Sequence, residues 1–322
     1  MPRFIILIAI VVLVVAGWSA AWFYGAGEIR RQVSNQLLAS QSFPEKLSCK
    51  QLDVAGFPFR YDIACTDAQL ITGDVSLSVP RILATILVYR PTHALIFATG
   101  PATYRDAFSG SARKLRWQNL RASVRTNGWA LARISLEGDN LELIDTLVGE
   151  KPVASANRVE LHILDNPDEY DAEGKRAQLN IYSRVESAQV PEFDINNAEI
   201  TLEGVIESLP DDVRLFSAQN IARNWYDTES GVQIIAFKGK DEQSGFEFNG
   251  RISATEQARL TGEFGLQTQN IADRLSDFVD PVALQIMFGF KDESGSYNQS
   301  FSVRHGVIMA GNVPVATLPP LR

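Results

Sequence analysis

The sequence predicts a mainly β protein: a β-rich α+β fold with a large curved antiparallel sheet or sandwich and a few short helices, preceded by one transmembrane helix. Three observations predict it. Residues 4–24 carry no charged side chain. From Leu47 onward, apolar residues recur mostly at every second position, in short runs separated by turn-forming residues. The only two cysteines, Cys49 and Cys65, flank a Gly-Phe-Pro turn.

The uncharged stretch from Phe4 to Tyr24 would span about 31 Å as a helix at ~1.5 Å rise per residue. The hydrocarbon core of a bilayer is ~30 Å thick. Arg3 precedes the stretch, and Glu28, Arg30 and Arg31 follow it. Trp18, Trp22, Phe23 and Tyr24 crowd its far end, where amphipathic rings favour the headgroup region. A cleaved signal peptide is the alternative, with Ser19 and Ala21 as a small-x-small site. The length of the run and its bulky aromatic end favour an uncleaved anchor over residues 1–27. Residues 28–44 follow as an amphipathic helix and linker, with Ile29, Val33, Leu37 and Leu38 on roughly one side and a Ser/Pro interruption at Ser40 to Pro44. Basic residues on the two flanks nearly balance, so charge alone leaves the orientation open.

The cysteines bear on that choice. The midpoint of 49 and 65 falls at Phe57, inside Gly56-Phe57-Pro58-Phe59-Arg60. An antiparallel hairpin folded there would set Cys49 and Cys65 opposite each other, near enough for a disulfide. A bridge implies an oxidising compartment, the periplasm in a bacterium. Two unpaired buried thiols are the other reading. No Cys-x-x-Cys spacing exists, so neither zinc nor thioredoxin-like chemistry is indicated.

The β-rich domain is expected over 45–322, as one body or as two halves meeting near 190–215. Strand-like runs include Val75 to Val79, Ile82 to Tyr89, Ala94 to Thr99, Leu115 to Val124, Trp129 to Leu136 and Leu141 to Leu147. Turn signals separate them, among them Arg90-Pro91, Gly100-Pro101 and Glu137-Gly138-Asp139-Asn140. A helix is predicted over Asp211–Asp227 and another over Asn270–Val279, ending before Pro281. Tyr297 to Ala310 reads as a last hairpin, and Gly311 to Arg322 as a Val/Pro-rich tail.

The sequence offers no catalytic constellation. His93, His162 and His305 are the only histidines, and none has a Cys or a paired carboxylate at ligand spacing. There is no Gly-x-Ser-x-Gly elbow, no His-Glu-x-x-His and no phosphate-binding glycine loop. Asp211 and Asp212 suit a helix start better than acid/base work. The expectation is a protein without enzymatic activity, cofactor or metal. A formal net charge of -8 without a long basic run argues against nucleic acid as a partner.

Three segments carry a family resemblance: Gly17-Trp18 to Tyr24-Gly25-Ala26-Gly27-Glu28, then Val54-Ala55-Gly56-Phe57-Pro58-Phe59-Arg60, and Arg304-His305-Gly306-Val307-Ile308-Met309-Ala310-Gly311 with Leu318-Pro319-Pro320-Leu321. In this order they resemble the bacterial family called domain of unknown function 2125, over nearly the whole chain. The tail, Val313-Pro314-Val315-Ala316-Thr317, departs from the family's glycine-richer ending. The Gly-Phe-Pro-Phe turn is also similar to that of AsmA-like envelope proteins. The family has no assigned activity, so no catalytic residue is carried over. The AsmA-like likeness implies a curved sheet with an apolar groove, and a link to lipid traffic or outer-membrane assembly.

Two functions are therefore expected. The first is lipid handling, in which an apolar β-groove shields acyl chains at ~0.8 kcal/mol per buried methylene. The run Ile82 to Tyr89 is apolar on both faces, so Ile82, Ile86 and Val88, with Phe57 and Phe59, are the candidates to line a groove or pack in the core. The second is a scaffold that binds another envelope protein by strand addition, with Val313 to Leu321 as a candidate contact. An envelope hydrolase is the remote alternative. The expected location is the bacterial inner membrane, single-pass, with the bulk of the chain in the periplasm.

Overall fold

A computed structural model describes residues 2–40, 45–215, 231–255, 259–276, 279–293 and 295–319. Among these residues the protein is mostly β, with eighteen strands in a large antiparallel sheet and a long apolar helix at the N-terminus. The chain forms two compact units, one of residues 1–123 and 142–152, the other of 124–141 and 153–322. Residues 190–215, where a junction was left open, lie within the second unit.

In the first unit, α1 (Pro2–Ser40) is one continuous helix. No proline follows Pro2 until Pro44, so nothing stops the apolar segment from running into the amphipathic one. Residues 41–44 of the expected linker lie outside the described residues. A meander follows: β1 (Glu45–Ala55), β2 (Arg60–Thr72), β3 (Val75–Leu87) and β4 (Arg90–Thr99). Residues directly opposite in an antiparallel pair share a face. Val54 faces Ile63, which faces Ala84, which faces Ile96. Tyr61 likewise faces Ile86, and Ile86 faces Ala94. One face of this meander is thus apolar from strand to strand, and its side chains are only half-buried. The continuous run in β3 resolves into Ile82 and Ile86 on that face and Leu83 and Leu87 on the other.

β5 (Ala102–Asp106) and β6 (Ala112–Arg116) extend the unit, and Leu115 of β6 pairs with Leu143. β7 (Asn119–Asn127), β8 (Ala130–Asp145) and β9 (Lys151–Asp165) come next. β8 corrects the sequence reading, which placed a turn at Glu137 to Asn140. The strand runs through, and Asn140 takes a left-handed conformation (φ 49°) that kinks it without reversing it. Ile144, near its end, is 1% exposed.

In the second unit, β10 (Arg176–Val190), β11 (Ile195–Pro210), β12 (Gly231–Lys240), β13 (Gly245–Ala254) and β14 (Leu260–Gln269) continue the antiparallel order. β15 (Phe290–Lys291), β16 (Ser296–Arg304), β17 (Val307–Ala310) and β18 (Val313–Thr317) complete it. Again one face is apolar: Leu202 faces Phe237, Phe237 faces Phe248, and Phe248 faces Leu266. The opposite face carries charge, with Lys238 3.1 Å from Glu247 across the β12–β13 pair. A small closed core forms at one place, where Leu131, Ala177 and Leu179 are buried against Ile163, Ile206 and Val213.

Two helix expectations need correction. Over Asp211–Asp227 only residues up to 215 are described, and there Val213–Leu215 is a single 3-10 turn; the rest lies outside the described residues. The segment expected over Asn270–Val279 is helical only as α2 (Ile271–Leu275), with residues 277–278 outside the described residues. A further helix, α3 (Pro281–Phe288), was not anticipated. Pro281 was read as a stop. It sits instead at the first helical position, where its missing N–H costs nothing, and the Asp280 carboxylate accepts from the Val282 N–H at 2.8 Å.

Candidate functional site

Two places in the fold concentrate features that ordinary strand packing does not require. The first is the tip of the β1–β2 hairpin, in the first unit. Gly56 has φ 102°, and a Cβ there would meet the Arg60 carbonyl oxygen at 2.8 Å, so the turn needs glycine. The turn closes with the Arg60 N–H donating to the Gly56 carbonyl at 3.2 Å. Its outer carbonyls are capped from α1. The Trp18 indole donates to the Pro58 carbonyl and the Trp22 indole to the Arg60 carbonyl, both at 3.0 Å. Trp22 is 5% exposed, stacked on Tyr61 at 5.3 Å and edge-on to Phe57 at 5.5 Å. Phe57 in turn stacks on Phe23 at 5.5 Å. Gly25 leaves room for the Tyr61 hydroxyl, which a Cβ would strike. Further along the helix, Arg30 lies 3.9 Å from Asp53.

The two cysteines are bonded, with Cα atoms 5.7 Å apart. Their placement differs from the symmetric arrangement expected. The hairpin folds between residues 58 and 59, so Cys65 pairs with Leu52 and Cys49 with Ala68. The bridge is diagonal. It forms where the ladder skips the Lys50/Asp67 pair and Asp67 is left-handed (φ 49°). Of the proposed groove residues, Ile82 and Ile86 lie on the half-buried apolar face, opposite Cys65 and Tyr61. Val88 lies in the turn after β3, and its N–H donates to the Phe59 carbonyl at 3.0 Å.

The second place is a cavity of about 260 Å³ inside the second unit. Its walls are Ala188 and Val190 from the end of β10, Phe193, Ile195 and Ile200 from the turn and strand that follow, Phe246 from β13, and Ile271 and Leu275 from α2. The lining is almost wholly apolar. A single ion pair stands at its edge: the Arg274 guanidinium of α2 contacts Asp241 at 2.6 Å, with the Asp241 side chain 4% exposed. Burial alone would raise the Asp241 carboxyl. The Gln243 and Ser244 N–H groups, at 2.9 and 2.7 Å, together with Arg274 and the Ser244 hydroxyl, outweigh it and hold the group down at about 2. The pair ties α2 to the β12–β13 turn and so holds one wall of the cavity in place.

The histidines do not converge. His93 Nε2 lies 2.9 Å from the Ser123 hydroxyl, His162 stacks on Tyr182, and His305 sits in a turn. Among the described residues no group of three or more His, Cys, Asp or Glu is arranged to hold a metal ion.

A family model described as an uncharacterized protein conserved in bacteria (DUF2125) matches residues 22–319. The chain belongs to the DUF2125 family. No curated protein matches the sequence. In this DUF2125 protein the match takes in Trp22, the 56–60 turn and every wall of the cavity. Reading the sequence identified the turn and the cysteines but missed the tryptophan caps and the cavity. The cavity walls come from four elements that are individually unremarkable in pattern. The one local signal was Asp241 followed by Gln243 and Ser244, an aspartate turn that looks like any other hairpin connection.

Proposed function

We propose that this protein is an inner-membrane-anchored, periplasmic protein of the bacterial envelope that binds lipid acyl chains and carries no enzymatic activity. The anchor rests on α1, the one described helix long and apolar enough to cross a membrane. The exported location rests on the Cys49–Cys65 disulfide, since such bonds persist in oxidising compartments. The observation that carries the lipid reading is the cavity between β10, β11, β13 and α2. Its lining is apolar, it stands beside a sheet face whose aromatic side chains are only half-buried, and it opens with one ion pair at its rim. Such a surface binds methylene chains by removing them from water and offers little to a polar ligand. Native mass spectrometry of the full chain, released from detergent, tests this. Wild type should retain phospholipid or fatty acid that exchanges with added lipid. Ala198→Phe, which fills the cavity from a buried position opposite Ala188, should lose it while keeping its circular dichroism spectrum. A wild-type mass that stays free of lipid through incubation would refute the reading. One feature favours the scaffold alternative: β18 is exposed at all five positions, as a strand that receives a partner by addition would be.

A further inference from the structure

The Gly56-Phe57-Pro58-Phe59 turn raises a question the lipid reading does not answer. It presents two large aromatic rings outward, Phe57 at 48% and Phe59 at 61% exposure, and contains no charge. Its position along α1 is unusual. Pro58 is bonded to Trp18, Arg60 to Trp22, Tyr61 packs at Gly25, and Asp53 lies by Arg30. The hairpin therefore runs along the helix, with its tip pointing back toward the apolar segment. Trp18 lies six residues before Tyr24, the last of the aromatic residues at the far end of the uncharged stretch, four residues ahead of Glu28. At ~1.5 Å per residue the tip reaches about 9 Å past Tyr24 into that stretch. Of the hairpin's charged residues, Arg60 and Asp62, paired at 2.8 Å, come level with Trp22 and Gly25, and Asp53 comes level with Arg30.

We infer that this tip is a second membrane contact, embedded beside α1 at the depth of the lipid headgroups and upper acyl chains. The inference rests on the reading of α1 as a membrane span. Irregular backbone is costly in an apolar medium unless its polar groups are paired. Here the Gly56, Pro58, Phe59 and Arg60 carbonyls accept from Arg60, Trp18, Val88 and Trp22 respectively, and Pro58 has no N–H to satisfy. Phe57 stacks on Phe23 of the helix at 5.5 Å, and Phe23 and its neighbour Tyr24 are themselves 63% and 78% exposed. A lipid surface is the occupant that the span itself brings to this patch. Arg60, half-exposed at the base of the tip and 2.8 Å from Asp62, is placed to reach the headgroups with its long stem along the apolar boundary. The apolar face of the first unit begins at Tyr61 and Ile86, immediately behind the tip, so embedding would start that face at the bilayer.

Site-directed nitroxide labelling of the full chain in phosphatidylethanolamine/phosphatidylglycerol vesicles tests this. The native cysteines are bonded to each other and leave an introduced thiol as the reactive one. Labels go on Phe59→Cys, on Ala21→Cys and Ile10→Cys of α1, and on Asp74→Cys at the opposite end of β2. The expected result is a loss of accessibility to aqueous nickel chelate and a gain in accessibility to oxygen at 59, matching 21 and unlike 74. A label at 59 as nickel-accessible as the one at 74, with 10 and 21 protected, overturns the embedded tip and leaves the span standing. Nickel access at 10 as well as at 59 overturns both readings together.

Discussion

Asp241→Asn isolates the ion pair that holds α2 over the cavity. The substitution keeps an oxygen able to accept from the Gln243 and Ser244 N–H groups, and removes the charge facing Arg274 at 2.6 Å. The carboxyl is lowered from 3.8 to about 2 in the folded chain. At ~1.36 kcal/mol per unit, that difference corresponds to about 2 kcal/mol of stability. The sign follows from the depressed value. The contribution is fully present above the unfolded value near 3.8, declines as pH falls, and is gone below about 2. Urea unfolding of the full chain in detergent micelles, followed by far-ultraviolet circular dichroism from pH 6 to pH 2, reads this out. Wild type should exceed Asp241→Asn by about 2 kcal/mol down to pH 4, and the two should converge toward pH 2. Taking the difference between the proteins removes the other carboxylates, which titrate in both. A difference that is constant with pH would refute the reasoning, because it would show that Asp241 acts through shape and hydrogen bonding alone.

Two further substitutions address the hairpin. Trp22→Phe keeps a ring against Tyr61 but leaves the Arg60 carbonyl without its donor, which should cost about 1–3 kcal/mol and speed hydrogen exchange in β1 and β2 while sparing the second unit. Cys49→Ser opens a loop of sequence separation 16, and should destabilise the first unit by about 3 kcal/mol in urea. Reduction of the wild type should reproduce the effect, and an unchanged midpoint under both treatments would mean that the bridge adds no constraint.

Much of this protein is determined by residues near one another in sequence. The apolar run from Phe4 to Tyr24 is long enough for a membrane-length helix, and the lack of an interior proline lets the helix continue to Ser40. Alternation through β2, β3 and β13 announces strands, because side chains of a pleated chain point to opposite faces. Gly56 before Phe57-Pro58 announces a turn. These are local properties of the backbone, and the sequence states them directly.

Register and convergence are a different matter. The cysteines look symmetric about Phe57, yet the hairpin folds between residues 58 and 59, and a break at Asp67 brings the two together diagonally. Pairing is decided by the summed fit of two whole strands, to which no single residue testifies. Pro281 could have ended one helix or begun another, and the Asp280 cap settled it. Trp18 and Trp22 read as interfacial aromatics of a span; that their indole N–H groups cap a turn some forty residues away depends on where the hairpin lands. The cavity is the extreme case, since Ala188, Ile200, Phe246 and Leu275 meet only after β10 to β13 and α2 have assembled. The sequence by itself determined a membrane-length helix, a succession of antiparallel strands and a turn that requires glycine. Tertiary structure alone decided which faces stay open, because an apolar side chain is buried or exposed according to what folds over it, and that is set by residues far along the chain.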